Sequence, residues 1–287
     1  MKQTKETWLF EISPAKRLIA LNFKEIWRYR DLLILFVKRD VVTLYKQTVL
    51  GPLWYLIQPL FTSVIFTLVF NTIAGIDTGR VPPYLFNLAG ITAWNYFRDC
   101  FINTSDTFKK NENIFSKVYF PRVIMPLSVI ISNLLKFGIQ IGIFVFFYLY
   151  FIFYGGYEIM PDKSLLFFPV LILIMAMLGL GFGMITSSMT TKYRDLTFLV
   201  SFGVQLLMYI SAVGYPLEVV KEKAAKYAWV VEYNPMTTVI EAFRYMTLGE
   251  GTISAFSISM TLIVSVVVFL IGLVIFNRTE KSFIDTI

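Results

Sequence analysis

Apolar residues gather into six long runs separated by short polar segments, near 53–73, 84–104, 127–153, 165–188, 196–213 and 255–276. At ~1.5 Å per residue such runs cross the ~30 Å hydrocarbon core of a bilayer as helices, the fifth being short for the task. The pattern predicts an all-α membrane protein with six transmembrane helices. Ahead of the first run the periodicity changes. Leu33, Ile34, Val37, Val41, Leu44 and Tyr45 fall on one arc of a helical wheel, and Lys38, Arg39, Asp40, Thr43, Lys46 and Gln47 on the other. This is the pattern of an amphipathic helix lying in the membrane interface, with its cationic side among the headgroups. Leu32, Leu35 and Phe36 blur the polar face in its first half. The expected division is a segment 1–30, the interfacial helix 31–50 and a membrane domain 51–287.

The connectors at 74–83 and 154–164 are short, whereas about forty residues separate the fifth and sixth runs. That connector reads as two short helices. Tyr215 and Pro216 open one pattern through about Val231, and Asn234-Pro235 opens another from Met236 to Leu248, with Asn as N-cap and Pro at the first helical position. Gly249 and Gly251 close it. A hairpin of this kind can re-enter the outer leaflet if protein covers its backbone ends, or it can form a surface cap. Re-entry better accounts for Trp229, Val230, Val231 and Ile240, which are poorly matched to water.

Composition agrees: the chain is 56% hydrophobic, 17% aromatic and 16% charged over 287 residues, too apolar for a soluble domain. The net charge of +7 could suggest nucleic acid, but its placement argues for topology. With the N-terminus inside, the inner segments hold eighteen Lys and Arg, ten of them before Gly51, and the outer segments six. That is the positive-inside bias, and it puts both termini in the cytoplasm. The first thirty residues lack the apolar core of a signal peptide. The lone Cys100 excludes a disulfide framework.

Several chemistries are missing. No Gly-x-x-x-x-Gly-Lys-Ser/Thr loop occurs, so ATP binding of the P-loop kind is not expected here. There is no histidine, Asp99 is the only mid-span carboxylate, and no nucleophile–base or metal-ligand set is visible. Neither an enzyme nor an ion-coupled carrier is indicated, and no bound cofactor or metal is expected. Gly179, Gly181 and Gly183 lie inside an apolar run, where close helix packing is the expected role. Asn87, Asn95, Arg98, Asp99, Asn103, Lys136 and Gln140 fall at membrane depth and should face protein or a wet cavity. Structural pairing is expected there, with Lys136 snorkelling or pairing with Asp99.

The loop 108–126 combines charge with aromatics, Tyr119 and Phe120 standing beside Lys117 and Arg122. Such residues either grip a protein partner or anchor the next span at the interface. The inner loop 191–195 is too short to hold a site.

Arg39-Asp40, Tyr45-Lys46-Gln47, Leu50-Gly51-Pro52-Leu53-Trp54 and Gln58-Pro59 resemble the opening of ABC type-2 permeases, in the branch exporting O-antigen, capsule and teichoic-acid polysaccharides. Gly90, Trp94-Asn95-Tyr96-Phe97, Lys117-Val118-Tyr119-Phe120-Pro121-Arg122, Tyr193-Arg194-Asp195, Asn234-Pro235-Met236, Phe243-Arg244 and Glu280-Lys281-Ser282-Phe283 continue the resemblance in order. It covers nearly the whole chain from about residue 30. The resemblance implies a six-span homodimer in the bacterial inner membrane, with two copies of a P-loop ATPase carrying ATP and Mg. It implies an undecaprenyl-linked polysaccharide as substrate. It assigns Lys117, Val118, Tyr119, Phe120, Pro121 and Arg122 to the ATPase-coupling surface. Arg39, Tyr45, Lys46 and Gln47 would form the helix that meets the lipid headgroup. Pro216, Asn234, Pro235 and Arg244 would belong to the periplasmic hairpin. Phe61, Phe66, Tyr96, Phe97, Phe101, Phe144 and Phe147 are candidates for an aromatic channel lining. Two rivals share the pattern: a type-2 exporter of a drug, lipid or short glycolipid, and a secondary carrier with no ATPase.

Overall fold

A computed structural model describes residues 23–46, 50–115, 120–158, 161–193 and 195–283, with helices and no strand among them. Two helices open the described chain, α1 (Phe23–Arg28) and α2 (Arg30–Tyr45). A 3-10 turn at Gly51–Leu53 leads into α3 (Trp54–Phe66), which widens into a π-helical stretch at Thr67–Ile73. Then follow α4 (Pro83–Ser105), the short α5 (Thr107–Lys110) and α6 (Glu112–Phe115), α7 (Ile124–Phe153), α8 (Phe168–Thr190) and α9 (Leu196–Ile210). The connector supplies α10 (Leu217–Lys223), α11 (Ala228–Glu232) and α12 (Pro235–Leu248), and α13 (Ala255–Phe283) ends the described chain.

The long helices α3, α4, α7, α8, α9 and α13 run back and forth between two ends of a bundle. At the α2 end, Phe276 of α13 stacks on Phe108 of α5 with centroids 4.5 Å apart. At the α12 end, the Asp162 N–H before α8 donates to the Met246 carbonyl at 3.1 Å.

Among the described residues four segments are both long and apolar enough to cross a membrane: Trp54–Ile73, Ile124–Phe153, Lys163–Thr190 and Ala255–Thr279. The two other expected runs, α9 and α4, fall short of this standard for different reasons. The α9 helix is apolar but has 15 residues, about 22 Å of rise. The α4 helix has 23 residues but carries Asn87, Asn95, Arg98, Asp99 and Asn103. The reason is its position: α4 is the central post of the bundle, contacted by α3, α7, α8, α9 and α12. Most of its side chains therefore meet protein, and the composition of a lipid-facing helix is not imposed on it. Several of its polar groups are paired, while Asn87 Oδ1, the Tyr96 hydroxyl and Thr104 Oγ1 are buried without a partner. Asn87 Nδ2 donates to Asn71 Oδ1 at 2.8 Å and Thr67 Oγ1 at 3.1 Å, and Arg98 pairs with Asp99 at 2.8 Å.

Lipid offers no hydrophobic drive for helix association, so close approach must supply the dispersion energy instead. The α8 glycines do this on two faces. A Cβ on Gly179 would stand 2.6 Å from Cys100 Cβ of α4, and one on Gly183 would stand 2.4 Å from Thr104 Cβ. On the opposite face a Cβ on Gly181 would meet the Val268 carbonyl carbon of α13 at 2.7 Å. The expected packing role of this triplet is what the structure displays.

The hairpin follows its sequence signals. The Met236 N–H donates to Asn234 Oδ1 at 2.9 Å, which makes Asn234 the N-cap with Pro235 at the first helical position. Gly249 ends α12 with φ +72°. The first pattern differs: it breaks at Ala224 into α10 and α11, with Pro216 as the residue before α10. Ten residues of α12 are buried, so this helix is an internal element and not a cap on the surface.

Candidate functional site

At the α2 end a polar cleft of about 330 Å³ opens between α2, α4, α5 and α7. Arg39, Asp40 and Thr43 come from α2, Asn103 from α4, and Lys110 with the following Asn111 from α5. Ser132, Asn133 and Lys136 project from one face of α7, at the i, i+1 and i+4 positions of a helix. The Arg39 guanidinium is fixed: it donates to Asp40 Oδ1 at 2.7 Å through Nη2 and to Asn111 Oδ1 at 3.1 Å through Nη1. Lys110 pairs with Asp106 at 3.1 Å. Of the two expectations for Lys136, snorkelling or a pair with Asp99, no ion pair is seen among the described residues; the ammonium lies over the Tyr55 ring, 5.3 Å from its centroid.

The orientation of α2 explains the blurred wheel. Phe36, which interrupts the polar arc, is buried in a cluster with Phe120 and Phe115, and Leu32 and Leu33 pack on its edge. Ile34, Leu35 and Val42 remain open on the outer surface. Phe36 and Arg39, three residues apart, thus face the bundle together. Arg39 points into the cleft and its guanidinium carbon lies 5.0 Å from the Phe36 ring centroid. Lys46 is exposed beyond the helix end. The side chain of Tyr45, and Gln47 altogether, lie outside the described residues.

The coupling loop divides likewise. Lys117, Val118 and Tyr119 lie outside the described residues. Phe120 is buried, its ring 5.7 Å from Phe36, and Pro121 precedes the turn into α7. Arg122 is also buried, over the Phe115 ring at 5.1 Å. Phe120 and Arg122 therefore hold the loop to its own chain.

At the α12 end stands Arg244, one of the six cations that the charge count put in the outer segments. Arg244 is fully buried. Its Nη1 donates to the Ala212 carbonyl at 2.9 Å, to Glu241 Oε1 at 3.1 Å and to the Tyr215 carbonyl at 3.4 Å. Its Nη2 donates to the Val213 carbonyl and its Nε to the Phe86 carbonyl at 3.4 Å. The Ala212, Val213 and Tyr215 acceptors belong to the turn after α9, where Ala212 takes φ +51° and carbonyls lie beyond the helix end. A guanidinium fork is suited to several carbonyls at once. Burial draws its pKa down to about 10 against the opposing pull of Glu241, so it stays charged at neutral pH. Asn234 Nδ2 adds a bond to Ser211 Oγ at 2.9 Å. Gly90 of α4 faces the same knot, where a Cβ would lie 2.4 Å from the Val213 carbonyl oxygen.

The channel candidates fare unevenly. Tyr96, Phe97, Phe101 and Phe144 are buried inside the bundle, and Phe66 packs on Phe70 and Tyr209. Phe147 is half-buried against Tyr84 at 5.2 Å. A channel wall needs rings on an open face, and of the seven only Phe61 is largely exposed. This unevenness, like the burial of Arg244, concerns which side of a helix meets its neighbours. The cleft residues carried a signal in sequence, as polar side chains at membrane depth, but spacing gave no sign that Arg39, Lys110 and Lys136 converge.

A bundle of long apolar helices around a central post that carries polar residues, with a cation-lined cleft at one end, has the build of a membrane protein. The chain belongs to the ABC-2 type transporter family, which matches residues 31–248. It is similar to two proteins from Klebsiella pneumoniae called O-antigen export system permease protein RfbA, at 28% and 27% identity over 257 residues. Those alignments cover 89% of this chain and 94% of each relative. A protein of the same name from Myxococcus xanthus is 24% identical over 264 residues, 92% of this chain and 98% of its own.

Proposed function

We propose that this chain is the permease subunit of an ATP-driven exporter of lipid-linked polysaccharide of the O-antigen kind, in the inner membrane of a bacterium. The observation that carries the reading is the likeness to O-antigen export permeases over nine-tenths of the chain, together with a cationic cleft at the α2 end. In this reading α3, α4, α7, α8, α9 and α13 are six spans, α4 shielded from lipid by its neighbours and α9 extended by the turn at its end. Both termini and the cleft face the cytoplasm, and α10 to α12 re-enter from the opposite side. Two copies of the chain enclose the path, with Phe61 on the open face of α3 among its lining residues. Two copies of a separate P-loop ATPase hold ATP and Mg, and this chain holds neither.

The mechanism follows from adjacency. Lys117, Val118 and Tyr119 contact the ATPase. Phe120 of the same loop lies against Phe36 of α2, and Asn111 is bonded to Arg39. Closure of the ATPase pair on ATP shifts the loop, and α2 moves with it because no other element intervenes. Arg39 and Lys46, with Tyr45 and Gln47 near them, meet the headgroup of the undecaprenyl-linked glycan at the inner leaflet.

Deleting the gene is expected to leave lipid-linked glycan accumulating on the cytoplasmic face, measured by extraction and glycan analysis. A drug or lipid exporter would show no such build-up. The full chain purified in mild detergent is expected to bring a stoichiometric P-loop subunit with it, and isolation alone would favour a secondary carrier. Lys117→Glu with Tyr119→Ala should release that subunit and leave the permease folded. Phe36→Leu, a loss of about 1 kcal/mol of packing, should keep the subunit bound and hydrolysing ATP while export slows severalfold. Unchanged export in Phe36→Leu would sink the route through α2.

A further inference from the structure

At the α12 end the first long helix is wound as a π-helix over seven residues, Thr67–Ile73, the one such stretch among the described residues. The Ala74 N–H accordingly donates to the Val69 carbonyl, five residues back, at 3.0 Å. Each π bond spans one residue more than an α bond; π-helices are rare, mostly single turns, and frequent at functional sites. Uncommon backbone geometry persists where the surrounding structure holds it. Two sets of contacts hold this one. On one side Asn87 of α4, fully buried, donates through Nδ2 to Thr67 Oγ1 at 3.1 Å and to Asn71 Oδ1 at 2.8 Å. Asn71 Nδ2 in turn donates to the Ile76 carbonyl at 2.8 Å and closes the end of the segment.

On the other side Phe66 and Phe70 fill the space that Gly214 leaves in the turn after α9, where a Cβ would lie 2.7 Å from the Phe70 ring. Phe66 also meets Tyr209 at 6.5 Å, and Phe70 meets Tyr215 at 6.1 Å. The hold on the α4 side is incomplete. Asn87 Oδ1 is buried with no hydrogen-bond partner, and a stranded acceptor offsets much of what the two Nδ2 bonds contribute. The two parts of the helix are attached differently. Toward the α2 end it follows α2 through the turn at Gly51, which takes φ +45°. Toward the α12 end it is pinned to α4 and to the turn that Arg244 binds. Between them only Pro59, Ser63 and Phe66 of α3 are buried, so little packing opposes a rotation of the part that carries Phe61.

We propose that Thr67–Ile73 is a joint in the first long helix, with Asn87 as the catch that holds it in the π form. When α2 moves, the π turn rewinds to α, Thr67 leaves Asn87, and Asn71 stays bonded. The part of α3 that bears Phe61 then turns by about one residue position, ~100°, against the fixed end. The joint is what lets α3 follow α2 at one end while the knot around Arg244 stays closed at the other. The inference rests on the export reading for what drives α2, and it assigns Asn87 and Asn71 as positioning residues for that motion.

The test uses the intact permease in lipid nanodiscs, with the ATPase that co-isolates, and amide hydrogen exchange read by mass spectrometry. During ATP turnover, exchange across 67–76 should rise severalfold over the nucleotide-free complex, while 141–150 of α7 stays as it was. In the permease alone, Asn87→Leu should raise exchange across 67–76 severalfold without nucleotide, because the catch is gone. Deleting Val69 lets an α turn span the gap that the π turn spans, which keeps the resting arrangement and removes the joint. That variant should melt no lower than the wild type, keep its ATPase bound and hydrolysing, and lose most of its export. A π turn of purely structural value predicts full export from it. Three results overturn the proposal: exchange across 67–76 that ignores ATP turnover, exchange unmoved by Asn87→Leu, or wild-type export without Val69. If the variant lacking Val69 does not fold, the two exchange measurements decide. Exchange that responds as expected, with no glycan accumulating in a strain lacking the gene, would keep the joint and sink the export reading. Accumulating glycan with unresponsive exchange would sink the joint alone.

Discussion

Replacing Arg244 by Met should destabilise the protein by about 3–5 kcal/mol, the cost of breaking a buried pair by removing one partner. Two losses combine. Glu241 keeps a buried carboxylate whose Oε1 has lost its cation, although Oε2 still accepts from the Thr252 N–H at 3.2 Å. The carbonyls of Ala212, Val213 and Tyr215 lose the Arg244 donor, in a turn already strained by Ala212 at φ +51°. Arg244→Lys should recover little, because one ammonium cannot reach across the positions that the guanidinium spans. The double change Arg244→Met with Glu241→Gln should be milder than the sum of the single changes, since removing the carboxylate charge removes the uncompensated ion. Thermal melts of the purified variants, with proteolysis across 211–215, check this. A melting temperature unchanged in Arg244→Met would refute the knot as a structural element. The knot also joins α4, α9 and α12, so its loss should loosen the far end of the bundle and leave the cleft at the α2 end intact.

The second large effect is expected in α8. Gly183→Val places branched carbon where Thr104 of α4 already stands, and Gly181→Val does the same against Val268 and Phe269 of α13. Overpacking a closely packed contact costs typically about 1–3 kcal/mol, and more where the obstacle is backbone. The Gly181 site is the harsher, because its neighbours are main-chain atoms that no rotamer change can move. Gly142 of α7 offers the control, having nothing within 4 Å of the Cβ position. Gly142→Ala should be neutral or should stabilise by up to about 1 kcal/mol through helix propensity. Yield and melting temperature of the three variants check the contrast. If Gly142→Ala and Gly181→Val behaved alike, close approach of α8 to α13 would not be a source of stability.

The two halves of the connector show what local chemistry can and cannot specify. The N-cap at Asn234, the proline after it and the glycine closing α12 are short-range signals, and each appears where the sequence pattern placed it. Burial of α12 was partly legible, because Ile240 is ill suited to water. The fate of Arg244 was not: its acceptor Phe86 lies 158 residues away in the chain, and an arginine beside a glutamate three residues earlier reads as a surface pair. Phe36 shows the reverse. It looked like a blemish on an amphipathic wheel, and it is the residue by which α2 rests on the bundle.

By itself the sequence determined that this is a helical membrane protein, where its hairpin helix is capped, that its α8 glycines serve packing, and the family to which it belongs. These follow from composition, from periodicity within one helix and from motifs of a few adjacent residues. The tertiary structure alone decided that α4 is the central post, that Arg244 binds the turn after α9, and that Phe120 and Arg122 face their own chain. It also decided that Arg39, Lys110 and Lys136 share one cleft. The physical reason is common to all of these: a helix periodicity says which residues share a face, while the partner of that face is set by contacts between segments as distant as Arg39 and Asn111, 72 positions apart.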